Sequence, residues 1–281
     1  MNKPVNHSVG IIGCGWLGTA LAKSLQQDKI DVFATTTSVA KGQQLNALTI
    51  SNEQLTLPAS DEQLASKKVF LQKQLVICIT PQLKYGKKDY AQKIANIVDA
   101  ANQQQVQHLI LISSSAVYGG LIGNVAEDAC LDLSIEKVAA LVAAEQALSN
   151  FSGSKTILRL TGLVGEDRHP GRFLAGKTAL HNANIAVNMI HQTDAVAMIR
   201  CLLNNPSDIQ QLAIYNGCSN THVSRQKFYQ KAAHAIKVTP PEFLIDDKTN
   251  KGKIVIANKI QQKLNYQLLY PDLLAWLEWK N

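Results

Sequence analysis

A glycine-rich segment near the N-terminus constrains the fold more than any other part of the chain. The apolar run Val9–Ile12 leads into G-x-G-x-x-G, and residues 19–27 then carry apolar side chains at helical spacing. A strand, a tight glycine turn and a helix in that order begin a βαβ unit, in which N–H groups at the helix start can hold a pyrophosphate. Here Gly13 would permit the turn, Gly15 would let a phosphate approach the backbone, and Gly18 would allow close packing of helix on strand.

This segment predicts a dinucleotide site. Two other readings of the same pattern stay open, namely a glycine-rich turn without a ligand and the related loops of FAD or S-adenosylmethionine sites. The residues expected to contact the dinucleotide here are Gly13, Cys14, Gly15, Trp16, Leu17 and Gly18.

Strand and helix patterns alternate through residues 1–165. Fully apolar runs predict buried strands at 9–12, 31–35, 75–80, 108–113 and 155–160, and helix-spaced apolar residues predict helices at 19–27, 89–104 and 134–148. Such alternation is typical of a parallel sheet covered on both faces, with right-handed crossovers. We therefore predict an α/β fold, a Rossmann-type doubly wound parallel sheet, with the dinucleotide-binding domain at residues 1–165.

The pattern changes after residue 165, where glycine, proline and charged residues concentrate. We predict a smaller, partly interleaved substrate lobe at 166–281, in which about 194–236 partly returns to the Rossmann sheet. Since ligands of open α/β sheets bind at the carboxyl ends of the strands, this lobe should cover that edge. The predicted elements are helices at 173–181, 194–203, 222–236 and 271–279, a strand at 212–215, and a polar stretch at 246–253.

The end of the second predicted strand bears on the choice of cofactor. NAD sites usually carry an acid about 20 residues after the glycine motif, where it holds the ribose 2′-hydroxyl. This chain has hydroxyl side chains there and a lysine close behind. An acid would repel a 2′-phosphate, so the pattern favours NADP, with NAD as the alternative; the hydroxyls have a second reading as caps of the next helix. The residues concerned are Thr35, Thr36, Thr37, Ser38 and Lys41.

Composition limits the remaining function classes. The 281 residues are 46% hydrophobic and 17% charged, as in ordinary globular proteins. No apolar run approaches the roughly 18 residues that span a bilayer. Five scattered cysteines without a C-x-x-C pair predict free thiols in a reducing cytoplasm and no metal site.

The net charge of +7 includes a dense group at Lys84, Lys87 and Lys88, which is too short to indicate nucleic-acid binding. The basic surplus therefore points to small anionic molecules.

A second segment resembles a known family. Residues 110–119, ILISSSAVYG, closely resemble the S-S-x-x-V-Y-G segment of extended short-chain dehydrogenases/reductases, the NAD(P)-dependent epimerase/dehydratase superfamily. Weaker likenesses at 158–165, 187–196, 215–216 and 253–266 extend the resemblance over nearly the whole chain. It implies an oxidoreductase acting on a small molecule. The further residues expected beside the cofactor are Thr80, Pro81, Ser113, Thr161 and Gly162.

One family feature has no match at the expected place. Members carry Tyr-x-x-x-Lys on the helix after this segment, and the tyrosine exchanges a proton with the substrate. Alignment on Glu145 puts Lys137 at the tyrosine position and Leu141 at the lysine position, and another register puts Leu133 at the tyrosine position. The chain thus resembles the atypical members that lack the pair. A catalytically silent NADP-binding sensor or interaction protein, and a binder of some other ligand, stay open beside the oxidoreductase.

Without that pair, other residues must transfer the proton. The family's serine maps to Ser114, and the other candidates are Tyr118, Lys137 with a pKa lowered by burial, and His169, which titrates near neutral pH. Two arginines of the loop after residue 165 suit an anionic substrate. The expected substrate contacts are Ser115, Arg168 and Arg172.

Other residues are expected to be structural. We predict a buried ion pair for Arg159, and a role for His191 and Asp194 in orienting the backbone. Family members often pair through the helices corresponding to 89–104 and 134–148, and the alanines of the second helix would allow close approach, so a homodimer is predicted. The alternative is that those alanines pack under the protein's own sheet.

Overall fold

The structure, a computed structural model, describes residues 8–209, 211–244 and 252–279, with the backbone alone at Lys84. Most of the polar stretch 246–253 and the side chain of Lys84 therefore lie outside the described residues. Within them the strands are β1 (Val9–Ile12), β2 (Val32–Thr36), β3 (Ser51–Gln54), β4 (Gln74–Ile77), β5 (His108–Ser114), β6 (Gly123–Val125), β7 (Ser154–Leu160), β8 (Gly162–Val164), β9 (Met189–His191), β10 (Leu212–Gly217) and β11 (Lys253–Val255).

The α-helices alternate with these strands in the first half of the chain and dominate the second half. They are α1 (Trp16–Gln27), α2 (Val39–Ala47), α3 (Asp61–Ala65), α4 (Tyr90–Gln103), α5 (Glu136–Ala147), α6 (Gln192–Asn204), α7 (Arg225–Ala235), α8 (Asn258–Leu264) and α9 (Leu273–Glu278). No helix among the described residues is both long enough and apolar enough to cross a membrane.

Seven parallel strands form the central sheet in the order β10–β7–β5–β4–β1–β2–β3. The chain runs outward from β1 in one direction through β2 and β3, and then returns to the other side of β1 at β4. This reversal of strand order opens a crevice at the carboxyl ends of β1 and β4, where open α/β sheets bind ligands. The predicted Rossmann-type doubly wound sheet is confirmed.

Alternate residues of the strands supply two cores, one on each face of the sheet. In β5, Leu109 and Leu111 join the cluster under α4 and α5, while Ile110 joins the cluster under α1 and α6. Both faces are buried, which explains why the strand reads as a continuous apolar run in the sequence.

The second half of the chain returns to the sheet. β10 pairs in parallel with β7 along its whole length. α6 packs on α1, where Arg200 donates to Ser24 at 2.9 Å. A third cluster lies beyond the sheet and joins β8, α7 and α9 through Val164, Phe228 and Trp276.

Two of the differences between the structure and the predicted elements have a clear physical reason. No helix forms at 173–181, because its N–H groups bond to a neighbouring segment: Gly176 donates to the carbonyl of Thr239, and Leu180 donates to that of Glu242. The positive φ angles of Gly176 (66°) and Ala179 (53°) also interrupt helical geometry. The second difference is the edge strand β3, whose polar sequence SNEQ gave no strand signal.

Candidate functional site

The glycine loop after β1 is locked in place by the end of β2. Gly13 has φ of +88°, and a Cβ there would lie 2.9 Å from the side chain of Ile79. The N–H of Gly13 donates to Thr35 Oγ1 at 3.1 Å, and that of Cys14 donates to the Thr35 carbonyl at 2.8 Å. A Cβ at Gly18 would lie 3.1 Å from the carbonyl of Gly13. The loop therefore needs glycine at both positions, as the turn and the helix packing require.

The start of α1 fits a pyrophosphate. Gly15 caps the helix without a side-chain hydrogen bond, and the first turn holds no acid. A Cβ at Gly15 would meet no atom within 4 Å, so this position faces open space and an anion can approach the backbone there. First-turn N–H groups and the helix dipole both favour negative charge at this place.

The first cleft, of about 660 Å³, runs from the glycine loop past the ends of β2 and β3. Ser38 Oγ accepts from the N–H of Lys41 at 3.3 Å and so caps α2, as the second reading of the hydroxyls expected. Both residues also line the cleft. The predicted residues found there are Gly13, Cys14, Gly15, Thr35, Thr36, Thr37, Ser38, Lys41 and Thr80.

Sequence reasoning missed several residues of the first cleft. Most of them come from the segment after β3 and from the loop between β4 and α4, while Ile12 ends β1 and Lys93 belongs to α4; they meet at the carboxyl edge because parallel strands end together. One acid, Asp89, lines this cleft, and it pairs with Lys93 at 2.9 Å. The missed residues are Ile12, Leu55, Thr56, Leu57, Pro58, Cys78, Ile79, Gln82, Lys87, Asp89 and Lys93.

The second cleft, of about 400 Å³, continues from the first, since both are lined by the glycine loop and by the segment after β4. It extends past the ends of β5 and β7 toward the first turn of α5. The predicted residues found there are Gly13, Gly15, Trp16, Leu17, Gly18, Thr80, Pro81, Ser113, Ser114, Lys137, Thr161 and Arg168. The residues that were missed are Cys78, Ile79, Tyr90, Ile112, Ala116, Leu141, Leu160 and Leu163.

Two candidate proton donors do not line either cleft. Tyr118 is fully buried, donates to Asn216 Oδ1 at 2.8 Å and accepts from Arg159 at 2.9 Å, and burial raises its pKa. His169 Nδ1 accepts from the N–H of Gly171 at 3.1 Å, and burial lowers its pKa. Both side chains are engaged in the fold and are not part of the lining of either cleft.

Three other predicted contacts also fall outside the lining of the clefts. Ser115 is buried between two lining residues, Gly162 is exposed on β8, and Arg172 is exposed. Arg168 and Arg172 belong to one short loop and are both exposed, but of the two only Arg168 lines a cleft.

A buried ion pair supports the floor of the second cleft. Ser113 Oγ donates to Glu145 Oε1 at 2.6 Å, and Arg159 Nη2 donates to Glu145 Oε2 at 2.7 Å. The structure confirms the ion pair predicted for Arg159. Since the Ser113 proton is given to Glu145, Ser113 presents acceptor lone pairs to the cleft.

Two lysines meet beside the second cleft. Lys137 is exposed on α5 and lines the cleft. Lys253, from β11, donates from Nζ to the carbonyl of Ser115 at 2.8 Å. Burial, and next the charge of Lys137, lower the Lys253 pKa to about 8. The sequence offered no signal for Lys253, because its neighbourhood arises from the pairing of β11 with β6.

Arg168 stands over the glycine loop. Its guanidinium lies 5.5 Å from the centroid of the Trp16 ring and 5.9 Å from that of Phe173. Trp16 is held in turn by Gln192, which donates to its carbonyl at 3.2 Å, and by Gly165, where a Cβ would lie 3.2 Å from the ring. An aromatic face attracts a cation at such distances.

The chain matches a protein-family model and is similar over nearly its whole length to a known protein. A family model described as NAD(P)H-binding matches residues 13–205. Protein YeeZ of Escherichia coli K12 is 32% identical over 275 residues, which cover 95% of this chain and 97% of that protein.

Solved structures with the same fold include two epimerases. UDP-glucose 4-epimerase of Thermotoga maritima, with UDP-glucose, has a TM-score of 0.79 and 12% identity, covering 97% of each chain. UDP-glucuronic acid 4-epimerase of Bacillus cereus, in complex with NAD, has a TM-score of 0.76 and 15% identity, covering 96% of each chain. At these identities the likeness concerns the fold.

Proposed function

Since the chain belongs to the NAD(P)H-binding family, we propose that it is an NADP-dependent, epimerase/dehydratase-like oxidoreductase that acts on a small molecule. The observation that carries the proposal is the pair of clefts that join at the glycine loop. A dinucleotide laid across the start of α1 has room for its adenosine half in the first cleft and for its nicotinamide half in the second.

The proposed preference for NADP rests on the end of the first cleft near α2. Ser38 and Lys41 lie at the N-terminus of this nine-residue helix, whose first turn holds no acid. Helix N–H groups, a hydroxyl and an ammonium together favour a 2′-phosphate. The acid that would instead accept from a ribose 2′-hydroxyl is missing from the end of β2.

When bound, the cofactor supplies a hydride to the substrate or accepts one from it. The chain's own part is to position the two molecules, to exclude water and to move a proton. Ser114 and Lys137 line the second cleft and are the proposed catalytic residues, while Ser113 is a proposed acceptor for the nicotinamide end. α5 carries no tyrosine, so the proton route differs from that of relatives with the Tyr-x-x-x-Lys pair.

The substrate is further proposed to carry negative charge, and the protein to act as a homodimer.

The cofactor proposal is tested by Ser38→Asp, which keeps a helix-capping side chain and adds a charge that repels a 2′-phosphate. We expect wild-type protein to bind NADPH more tightly than NADH in calorimetric titrations. The variant should lose about tenfold or more in NADPH affinity and gain affinity for NADH, since a charge-assisted contact is worth roughly 1.5–3 kcal/mol.

Ser60→Asp is the matched control, because Ser60 caps α3 in the same way and lies outside both clefts. It should leave both affinities unchanged. Equal binding of NADH and NADPH by the wild type would remove the NADP preference, and binding of neither would remove the proposal. Oxidation of NADPH with a panel of carbonyl and imine compounds tests turnover; binding without any turnover would leave a cofactor-binding protein in place of an enzyme.

A further inference from the structure

We propose that the substrate of the second cleft is a small organic anion, and that Arg168, held against the Trp16 ring, recognises its carboxylate or phosphoryl group. The inference rests on the proposed function, because the anion would lie beside the nicotinamide end of the cofactor.

The charge of the second cleft is the first argument. Arg168 and Lys137 both line it, and they come from different elements, the loop after β8 and the first turn of α5. No acidic residue is among the described residues that line this cleft. Two cationic side chains at one cleft make an anion a better ligand there than a neutral or cationic molecule.

The state of Arg168 is the second argument. Its side chain is exposed, and its guanidinium carbon lies 5.5 Å from the centroid of the Trp16 ring and 5.9 Å from that of Phe173. Among the described residues no carboxylate lies within ion-pair distance of it. A cation–π interaction does not use the N–H donors of a guanidinium, so they stay available in the fork that binds carboxylate or phosphate with two parallel hydrogen bonds.

The support of Trp16 is the third argument. Gln192 donates to its carbonyl at 3.2 Å, and the absence of a Cβ at Gly165 leaves room for its ring. These contacts restrain Trp16, whose ring lies beside the Arg168 guanidinium, without any ligand. A side chain already ordered loses less entropy when it binds, which favours both affinity and selectivity for an anion of defined geometry.

The test uses the full chain saturated with NADP⁺. Oxalate is the carboxylate probe, inorganic phosphate is the phosphoryl probe, and oxamide is the neutral analogue of oxalate; each is titrated by calorimetry. We expect at least one of the two anions to bind and oxamide not to bind. Arg168→Gln should weaken anion binding by about tenfold or more and leave NADP⁺ affinity within about twofold. Arg168→Lys should restore oxalate binding only in part, since lysine keeps the charge and loses the fork.

Arg172→Gln is the comparison variant, because Arg172 belongs to the same loop and lies outside the clefts. It should leave anion binding within about twofold of the wild type. An equal loss in Arg168→Gln and Arg172→Gln would show that the general charge of the loop is responsible and would overturn the assignment. NADP⁺ binding without binding of either anion would overturn the inference and leave the proposed function standing. Failure to bind NADP⁺ would remove the proposed function and the inference with it. The anion that binds more tightly distinguishes a carboxylate substrate from a phosphate ester.

Discussion

Glu145 is a carboxylate with only 4% of its surface exposed, in the core between the sheet and α5. Its oxygens accept from the guanidinium of Arg159 and from the hydroxyl of Ser113. Removal of charges from water is costly, and here the cost is offset by close, multiple hydrogen bonds. Loss of one partner leaves the other buried and uncompensated.

The first prediction concerns this pair. Glu145→Gln is expected to lower the free energy of unfolding by about 3–5 kcal/mol, measured by urea denaturation, because it leaves the Arg159 charge buried. Glu136→Gln is the control on the same helix, since Glu136 pairs with Lys88 and both side chains are about four-fifths exposed. The control should produce no measurable change. Similar midpoints for the two variants would contradict the expectation.

At this scale the sequence predicted many of the residues that line the two clefts, and two of the four candidate proton donors, Tyr118 and His169, lie outside that lining. The glycine motif identifies its residues because backbone geometry demands glycine at Gly13 and Gly18. Tyr118 and His169 carried suitable side chains, yet both are turned into the fold by long-range partners that no local pattern encodes. Lys253 was missed for the same reason, because its neighbour Ser115 is distant in sequence.

The N-terminus of α6 is capped by a buried histidine. His191 caps this helix, and its Nδ1 accepts from the N–H of Thr193 at 3.2 Å. The centroid of the His191 ring also lies 4.0 Å from that of the Tyr270 ring and 4.9 Å from that of the Trp276 ring. The capping residue therefore joins α6 to α9 and to the segment that precedes α9. Burial lowers the His191 pKa to about 4, although the charge of Asp194 acts in the opposite direction.

The second prediction follows from that pKa. Between about pH 4 and pH 6.5 the unfolded chain binds a proton at His191 and the folded chain does not, so stability rises with pH across this window. Stability is therefore expected to fall as the pH drops from about 6.5 toward 4. His191→Asn keeps a capping acceptor without a titrating ring. Its urea midpoint should change less with pH than that of the wild type, and parallel pH profiles would contradict this.

Strands and helices could be predicted from the sequence where a continuous apolar run or a helical spacing of apolar residues dominates the segment. The apolar runs of β4 and β5 and the spacing of α1 and α4 each predicted the observed element within a few residues. β3 has a polar sequence because it lies at the edge of the sheet. The helix predicted at 173–181 does not form, because its backbone groups bond to the segment near Thr239.

For the whole molecule, we propose a division near residue 165, with the Rossmann domain before it and the smaller lobe at 166–281 after it. Two clusters cover the faces of the sheet, and a third lies in the later part of the chain around Phe228 and Trp276. The pairing of β10 with β7 and the packing of α6 on α1 support the partial return of 194–236 to the sheet.

The third prediction concerns self-association through α4 and α5. Ala144 is fully buried in the protein's own core, whereas Ala143 is exposed, so a partner could contact the second face of α5. We expect a dimer in light scattering at micromolar concentration. Ala143→Arg should yield a folded monomer, because a long cation prevents close approach of the helices, and Ala143→Ser should stay dimeric. A monomeric wild type would contradict the prediction.

Trp16 belongs to both halves of the proposed site. Its backbone lies in the first turn of α1, which faces the proposed position of the pyrophosphate. The centroid of its ring lies 5.5 Å from the guanidinium of Arg168. Any coupling between the affinities of two ligands that contact this one residue is reciprocal. By whatever factor the dinucleotide tightens the binding of its co-substrate, the co-substrate tightens the binding of the dinucleotide. The affinity measured for each molecule therefore depends on the concentration of the other.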